Sequence, residues 1–490
     1  MNDSRKADKT TQLEEYKPDY NVKPEDYTPY IGEKRVEELK SLAEPLEGKG
    51  WANVNSTLMG GGVAEMLRSV IPLARGLGIE ARWHVIKGSN EFFQVTKKFH
   101  NMLQGVEQPI TLQEIFGAYL NTINENAKNT FIVSDMVVIH DPQPAAMIMN
   151  GVIFGNVLWR CHIDTSSPDQ TAWRFLLPYI NYCAGAIFTM SEFIGPGLQI
   201  PCYQIAPSID PMVKKNHQYS DDEALQVLSP LFHKDNIDPE RPILAAISRY
   251  DIHKNQSSIL KAFKRLRQEK KHNPPPYLIF LGNTATDDPE GDTMLERLRE
   301  EAGDDPDIRF WVNVEDNDMV VGSLMHLARA FIHVSTREGF GLVVSEALWQ
   351  GTPVIGSRVG GIMKQVLDSE TGYLVNPLDS ETMAAKMGRV LDYPEEAVTL
   401  GKRGKEHVRR HFLLPELVRN YLILLGYYTG ASRDIPPFRL DELSYSEVIH
   451  GIRLRHPYVP DPLQLEENYK DRNILSPSPD GLLCTPRRFN

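Results

Sequence analysis

Two glutamates eight residues apart, Glu338 and Glu346, flank a glycine-containing turn and give the strongest chemical signal in the chain. They belong to TREGFGLVVSEALWQGTPVIGS, residues 336–357, which follows the apolar segment AFIHVS. Gly339 and Gly341 let a backbone approach a ligand closely. A helix that begins near Gly341 presents free N–H groups to a phosphate. Eight helical residues at about 1.5 Å each cover roughly 12 Å.

This span suits a diphosphate flanked by two hydroxyl-bearing groups, a sugar at one end and a ribose at the other. A carboxylate can accept hydrogen bonds from two hydroxyls, so the two acids are suited to this work. The alternative is a strand–turn–helix corner with two solvated acids. The glycine pair, both acids and the following TPVIGS strand occur together, which favours a donor-binding site at Gly339, Phe340, Gly341, Leu342 and Glu346.

A basic pair, Arg249 and Lys254, follows the apolar segment PILAAI in SRYDIHKNQ, residues 248–256. Two cations leaving a strand end together can neutralise a diphosphate leaving group without a metal. Alone, the pair is typical of a solvated loop. Its position in the same half of the chain as the glutamates favours a catalytic role.

Three consecutive glycines, Gly60, Gly61 and Gly62, stand between a predicted strand and a predicted helix in NSTLMGGGVAEML. Such a turn is compatible with phosphate binding. The pattern is neither Gly-x-Gly-x-x-Gly nor a P-loop, so it supports no dinucleotide or P-loop site. A simple tight turn stays open as the alternative.

Histidines and acids follow two further predicted strands: His140, Asp141 and Gln143 in IHDPQP, and His162 and Asp164 in WRCHIDTSSP. His162 is suited to a sugar hydroxyl or to charge near an anomeric carbon, and the other four are suited to a polyol acceptor. A structural histidine and a metal site are the alternatives. Because the basic pair already supplies positive charge, and no Asp-x-Asp motif stands at a sheet edge, we predict neither a metal nor another cofactor.

The elements that must position these residues are short apolar runs alternating with amphipathic stretches, a pattern that predicts an α/β fold with parallel sheets. The pattern restarts after a Pro-rich polar break at 207–222, which predicts two doubly wound domains facing each other. Ligands bind outside the carboxyl ends of such strands. The predicted divisions are an arm and helix at 1–48, domains at 49–212 and 213–412, and a helix with a Pro-rich tail at 413–490.

Composition excludes several classes of function for this 490-residue chain. The net charge of −12 argues against a nucleic-acid partner. No run of about 18 apolar residues predicts a membrane span, and the polar start lacks a signal-peptide core, so we expect a cytoplasmic protein. The widely spaced cysteines are expected to be reduced thiols: Cys161, Cys183, Cys202 and Cys484. The sequence leaves a homodimer open.

The glutamate motif at 338–346, the basic pair and the Gly60–Gly62 loop resemble the retaining GT-B glycosyltransferases of the sucrose-synthase-like family. VNSTLMGGG, FFQVTKKFHNMLQG, HDPQPAA and WRCHIDTSSP are similar to the glycosyltransferring trehalose synthases, and the likeness extends over about residues 31–428. Fungal-type trehalose phosphorylases share parts of this pattern. One departure is Asn255, which stands after Lys254 where the family motif usually has glycine.

The resemblance implies two Rossmann-like domains and transfer of glucose from UDP-, ADP- or GDP-glucose to free glucose, with retention, to give an α,α-linked disaccharide. Arg249 and Lys254 would stabilise the leaving diphosphate, Glu338 would hold the glucose and Glu346 the ribose. The glycine loop and His162 would complete the site from the other domain. A phosphorylase acting on α-glucose 1-phosphate and glucose, and a non-catalytic binding protein, are the alternatives.

Overall fold

Two β-sheets face each other across a cleft in the computed structural model, which describes residues 13–18, 20, 22–59, 61–128, 130–283 and 289–440. Gly60 and the part of the predicted tail from 441 onward, with Cys484, lie outside the described residues. The α/β architecture of two Rossmann-like domains predicted from the alternating pattern is confirmed.

The first sheet has seven strands in the order β1-β3-β2-β4-β5-β6-β7. Their bounds are β1 Glu14–Tyr16, β2 Gly50–Asn55, β3 Glu80–Val85, β4 Ile132–His140, β5 Ile153–Cys161, β6 Gly185–Phe188 and β7 Cys202–Gln204. All pairs are parallel except β1 with β3. The arm predicted to be irregular therefore contributes an edge strand, because Tyr16 packs edge-on against the buried ring of Trp83 with centroids 4.7 Å apart.

The second sheet is entirely parallel, in the order β10-β9-β8-β11-β12-β13. Its strands are β8 Ile243–Ile247, β9 Tyr277–Gly282, β10 Ile308–Val312, β11 Ala330–His333, β12 Val354–Ser357 and β13 Gly372–Val375. Every residue of β8 and β9 is buried. Burial on both faces explains why these segments are continuously apolar.

Helices cover the sheets and supply the connections between parallel strands. Their bounds are α1 Thr28–Ile31, α2 Glu33–Ala43, α3 Gly62–Gly76, α4 Asn90–Leu103, α5 Asn121–Ala127, α6 Gln170–Asn181, α7 Asp221–Asp235, α8 Gln256–Glu269, α9 Pro289–Ala302, α10 Asn317–Leu327, α11 Leu342–Trp349, α12 Ile362–Gln365, α13 Ser380–Asp392, α14 Pro394–His411 and α15 Leu414–Thr429. A π-helix, Glu114–Leu120, leads into α5. Among these residues, no helix is long and apolar enough to cross a bilayer.

Each sheet reverses its strand order at one place, between β2 and β4 in the first and between β8 and β11 in the second. Connections leave in opposite directions at such a switch point, which opens a crevice at the carboxyl ends of the strands. The glycine loop follows β2, and the two motifs with Arg249 and Glu338 follow β8 and β11. Predicted site residues therefore stand at both switch points, and His162 and Asp164 follow the neighbouring strand β5.

The chain crosses between the two sheets twice, and the two crossings are hydrogen-bonded to each other. Ile209 N donates to Phe412 O at 2.9 Å, and Leu414 N donates to Ile209 O at 2.8 Å. After the second crossing, α15 packs against α2, α3 and β4 of the first sheet. Tyr421 of α15 lies against Trp51 of β2 with ring centroids 4.7 Å apart.

We expect Tyr421→Ala to destabilise the protein by about 3–5 kcal/mol, because it removes a fully buried ring and leaves a cavity. Urea unfolding followed by tryptophan fluorescence measures this loss. Leu378→Ala is the control, since that side chain is 75% exposed and should change stability by less than about 0.5 kcal/mol. Equal, small losses for both variants would show that α15 contributes little to the first sheet.

Candidate active site

A cleft of about 590 Å³ lies between the carboxyl ends of the two sheets and brings together most of the predicted site residues. Those that line it are Gly61, Gly62, His140, Asp141, Gln143, His162, Arg249, Lys254, Glu338, Gly339, Phe340, Gly341, Leu342 and Glu346. Asp164 does not line this cleft, and Gly60 lies outside the described residues. Both domains therefore contribute side chains to one space.

Glu338 is the centre of a hydrogen-bonded cluster at the end of β11. Its Oε2 accepts from Lys254 Nζ at 2.6 Å, from His333 Nε2 at 2.8 Å and from Ser335 Oγ at 3.1 Å. Burial alone would raise the pKa of Glu338, but the charge of Lys254 and the hydrogen bond from His333 outweigh it and hold the pKa well below its ordinary value. Glu338 is therefore a carboxylate, directly paired with Lys254.

The turn after Lys254 explains the departure from glycine at position 255. Asn255 has φ +57°, a left-handed conformation that asparagine tolerates better than most residues. Its side chain donates to Val334 O at 3.1 Å and to Pro377 O at 2.7 Å. The substitution keeps the turn that a glycine would make and anchors it to the end of β11.

The two domains come into close contact at Gly339 and at Gly62. A Cβ built on Gly339 would lie 2.1 Å from the carbonyl oxygen of His162, and one on Gly62 would lie 3.1 Å from Leu342. A backbone oxygen cannot move aside as a flexible side chain can, so position 339 requires glycine. The glycines of the donor motif thus serve the contact between domains as well as access for a ligand.

His140 and His162 form a hydrogen-bonded pair on the first domain. Their Nδ1 and Nε2 atoms are 3.0 Å apart, and His140 Nε2 is 3.0 Å from Asn53 Oδ1. Burial lowers the pKa of His140 to about 3 and lowers that of His162 well below its ordinary value, so both rings are uncharged near neutral pH. With the amide oxygen of Asn53 facing His140, each ring donates through Nε2, which leaves His162 Nδ1 as an acceptor.

Asp141 begins the turn after β4 with φ +63°, and its Oδ1 accepts from His162 N at 2.7 Å. Burial raises the pKa of Asp141 to about 7, although this hydrogen bond and the charge of Arg160 oppose the change. Asp164 is buried behind the cleft, where its Oδ1 accepts from Ser166 N at 3.0 Å. Its placement favours support of the loop over direct contact with an acceptor.

Glu346 is buried in α11, and Lys215 from the connector between the domains binds it at 2.6 Å. Lys215 also binds Glu65 in the first turn of α3. The pKa of Lys215 is above its ordinary value, because the two carboxylates outweigh the effect of burial. Burial raises the pKa of Glu346, and the charge of Lys215 opposes that rise.

Sequence reasoning missed Lys215 and a group of polar residues on α4. Lys215 lies in the Pro-rich break at 207–222, which has no periodicity to mark a mostly buried side chain. The group on α4 lines the cleft: Lys97, His100, Asn101 and Gln104. Their spacing at helical intervals in FFQVTKKFHNMLQG was the signal that could have identified them.

We expect Lys215→Met to cost about 3–5 kcal/mol of stability at pH 8, because it leaves a buried carboxylate without its cation. Glu346 then holds a proton in the folded state at a higher pH than in the unfolded chain. Its ionisation opposes folding as pH rises, so the loss should shrink toward pH 5. Urea unfolding at both pH values measures the difference.

The matched control for this prediction is the double variant Lys215→Met/Glu346→Gln, which lacks the titrating carboxylate. Its stability relative to the wild type should vary less between pH 5 and pH 8 than that of Lys215→Met. A loss in Lys215→Met that is the same at both pH values would contradict the pairing as the source of the effect.

Each half of the chain matches a known protein family. The family described as "Trehalose synthase, N-terminal domain" matches residues 53–195, and "Glycosyl transferases group 1" matches residues 230–407. Two solved structures share the fold. Sucrose-phosphate synthase from Thermosynechococcus elongatus is 18% identical with a TM-score of 0.60, and the match covers 78% of this chain and 100% of that protein. Trehalose 6-phosphate synthase from Burkholderia multivorans is 15% identical with a TM-score of 0.62, covering 79% and 100%.

Full-length relatives give the stronger result. Trehalose synthase of Rubrobacter xylanophilus is 38% identical over 83% of this chain and 97% of its own length. Trehalose phosphorylase of Pleurotus pulmonarius is 26% identical, over 73% of this chain and 54% of its own. Trehalose synthase of Pyrococcus horikoshii is 39% identical over 411 residues, which are 83% of this chain and 97% of that relative. The chain therefore belongs to the trehalose synthase family of GT-B glycosyltransferases.

Proposed function

We propose that the protein makes trehalose by transferring glucose from a nucleoside diphosphate glucose to free glucose, with retention of the anomeric configuration. The observation that carries the proposal is one cleft in which Glu338, Glu346, Arg249 and Lys254 of the second domain face His162 of the first. The similarity to trehalose synthases over nearly their whole length supports the same reaction.

Arg249 is the side chain best placed to bind the leaving diphosphate. In the part of the chain that the structure describes, its guanidinium forms no hydrogen bond or ion pair, and it lines the cleft. A guanidinium binds phosphate oxygens through two parallel hydrogen bonds. Lys254 differs, because it is already paired with Glu338. Its charge would act on the leaving group while it also orients the carboxylate.

In the proposed step, an acceptor hydroxyl oxygen bonds to C1 of the glucosyl group while the bond from C1 to the diphosphate oxygen breaks. The hydroxyl proton passes to that departing oxygen, on the same face of the sugar. Negative charge grows on the diphosphate, and prearranged cations stabilise it most in the transition state. The uncharged ring of His162 would not repel the positive charge that develops at C1.

We assign the sugar end of the donor to Glu338 and the ribose end to Glu346. Glu338 comes just before α11 and next to Gly339, which contacts the backbone of His162. Glu346 lies within α11, further into the second domain. Each keeps a cation, Lys254 or Lys215, and a carboxylate can accept hydroxyl hydrogen bonds beside that cation. Phosphorolysis with α-glucose 1-phosphate is the second candidate, favoured by the similarity to trehalose phosphorylase.

The deciding experiment is incubation of the protein with glucose and UDP-, ADP- or GDP-glucose, with identification of the disaccharide. We expect α,α-trehalose from at least one donor, and unchanged rates with a chelator, since Arg249 and Lys254 supply the positive charge. Release of α-glucose 1-phosphate from trehalose and phosphate, without transfer from any sugar nucleotide, would establish the phosphorylase instead. Loss of activity with chelator, restored by magnesium or manganese, would overturn metal independence.

The two glutamate variants should fail differently. Glu346→Gln should weaken binding of the free nucleoside diphosphate by about 1.5–3 kcal/mol, because it removes a charged hydrogen bond to the ribose. Glu338→Gln should bind the diphosphate almost normally and transfer glucose more slowly. Calorimetric titration and rate measurements on both variants test this assignment. A loss of diphosphate affinity in Glu338→Gln as large as that in Glu346→Gln would reverse it.

A further inference from the structure

Helix α4 has one apolar face in the protein core and one polar face toward the cleft. One face is buried in the core of the first domain through Phe92, Val95, Phe99, Met102 and Leu103. The other carries Lys97, His100, Asn101 and, at the helix end, Gln104, which we call the α4 stripe. Residues spaced by three, four and seven lie on one side of a helix. This polar side faces the cleft, although a polar helix face usually meets bulk solvent.

The side chains of the α4 stripe offer hydrogen-bonding groups to the cleft. Within the described part of the chain, none of its four side chains forms a hydrogen bond or an ion pair. The adjacent Lys98 points elsewhere and is fully engaged, with Nζ 2.5 Å from Glu114 Oε1 and 3.3 Å from Pro109 O. The helix therefore satisfies its polar groups on one side and leaves them open toward the cleft.

The neighbours of the α4 stripe place it beside the end of the cleft where the bond would break. Burial, together with the charges of Lys97 and Arg249, lowers the pKa of His100 to about 4. His100 lines the same cleft as Arg249, the proposed ligand of the leaving diphosphate. Gly105, just after the helix, lies near both domains, because a Cβ there would be 2.6 Å from Ser167 O and 3.3 Å from Arg337 Nη2 of the second domain.

Same-face transfer requires the acceptor to stand next to the departing diphosphate, because the hydroxyl proton passes directly to its oxygen. Of the groups near Arg249, the α4 stripe offers uncharged amide and imidazole groups that both donate and accept. Hydroxyls also donate and accept, so a sugar ring without a charged substituent matches these groups. Lys97 is exposed at the rim and does not by itself make an anion site.

We propose that His100 and Asn101 of the α4 stripe, with Gln104, bind the hydroxyls of the acceptor sugar and determine which acceptor is used. This proposal rests on the proposed function and names a part of the site that IHDPQP and WRCHIDTSSP do not supply. His140 is hydrogen-bonded to His162 and Asn53, and Asp164 accepts from Ser166 and lies 3.9 Å from Arg337. The acceptor is therefore held between α4 and the loop that carries Arg249.

The test compares His100→Ala and Asn101→Ala with the wild type and with Lys98→Met, a control on the engaged side of the same helix. We expect each stripe variant to raise the KM for glucose about tenfold, which is the loss of one to two hydrogen bonds. Affinity for the free nucleoside diphosphate, measured by calorimetry, should stay within about twofold of the wild-type value. Lys98→Met should change neither quantity.

Singly deoxygenated glucoses then show which hydroxyl each side chain binds. If His100 binds one hydroxyl, removing that hydroxyl should cost the wild type about tenfold in kcat/KM and cost His100→Ala almost nothing. An unchanged KM for glucose in both stripe variants would overturn the inference. An equal fall in diphosphate affinity would also overturn it, because α4 would then support the donor site. Absence of transfer by the wild type would instead refute the proposed function.

Discussion

The active-site geometry depends on one close approach between backbones, that of Gly339 to the carbonyl oxygen of His162. A side chain at 339 would place its Cβ 2.1 Å from that oxygen, and neither backbone can swing aside. This contact sets how deeply the two domains meet, and with it the separation between the Glu338 cluster and the histidine pair. Two domains joined only by connectors would lack a contact that limits how closely they approach.

Ionic pairs hold the walls of the cleft in register. Lys254, after β8, binds Glu338, after β11, and Lys215 binds carboxylates from α3 and α11. Buried ion pairs contribute little net stability, since desolvation offsets most of the attraction. Their value here is positional, because each carboxylate is aimed before a ligand arrives. Arg249 differs, because its guanidinium has no carboxylate partner among the residues described and lines the cleft unpaired.

The sequence allowed prediction of those parts of the site in which one short segment contains both the reactive side chain and the strand that positions it. Glu338 and Arg249 follow apolar strands within a few residues, so the strand pattern placed them at sheet ends without any tertiary information, and Glu346 lies in the helix that comes next. The architecture of two Rossmann-like domains followed from the same pattern. Asn255 shows the limit, because only the left-handed turn reveals why asparagine can replace glycine there.

Other features could not be predicted from the sequence, because residues distant in the chain determine whether these side chains are buried or exposed. The polar side of α4 has the pattern of a solvent-facing helix until the second domain covers it. Lys215 is buried by α3 and α11 together, and its own segment carries no periodic signal. Strand β1 has three residues, two of them glutamates, and only the aromatic contact with Trp83 shows why it joins the sheet.

The paired crossings at Ile209 and Leu414 have a mechanical consequence. Two connectors tied by a pair of backbone hydrogen bonds resist sliding past each other, so we expect relative motion of the domains to be mainly a rotation about this crossing. A domain opening that pivots on this crossing would return the same atoms to the same positions when it closes, so little conformational search would separate substrate entry from a correctly assembled site.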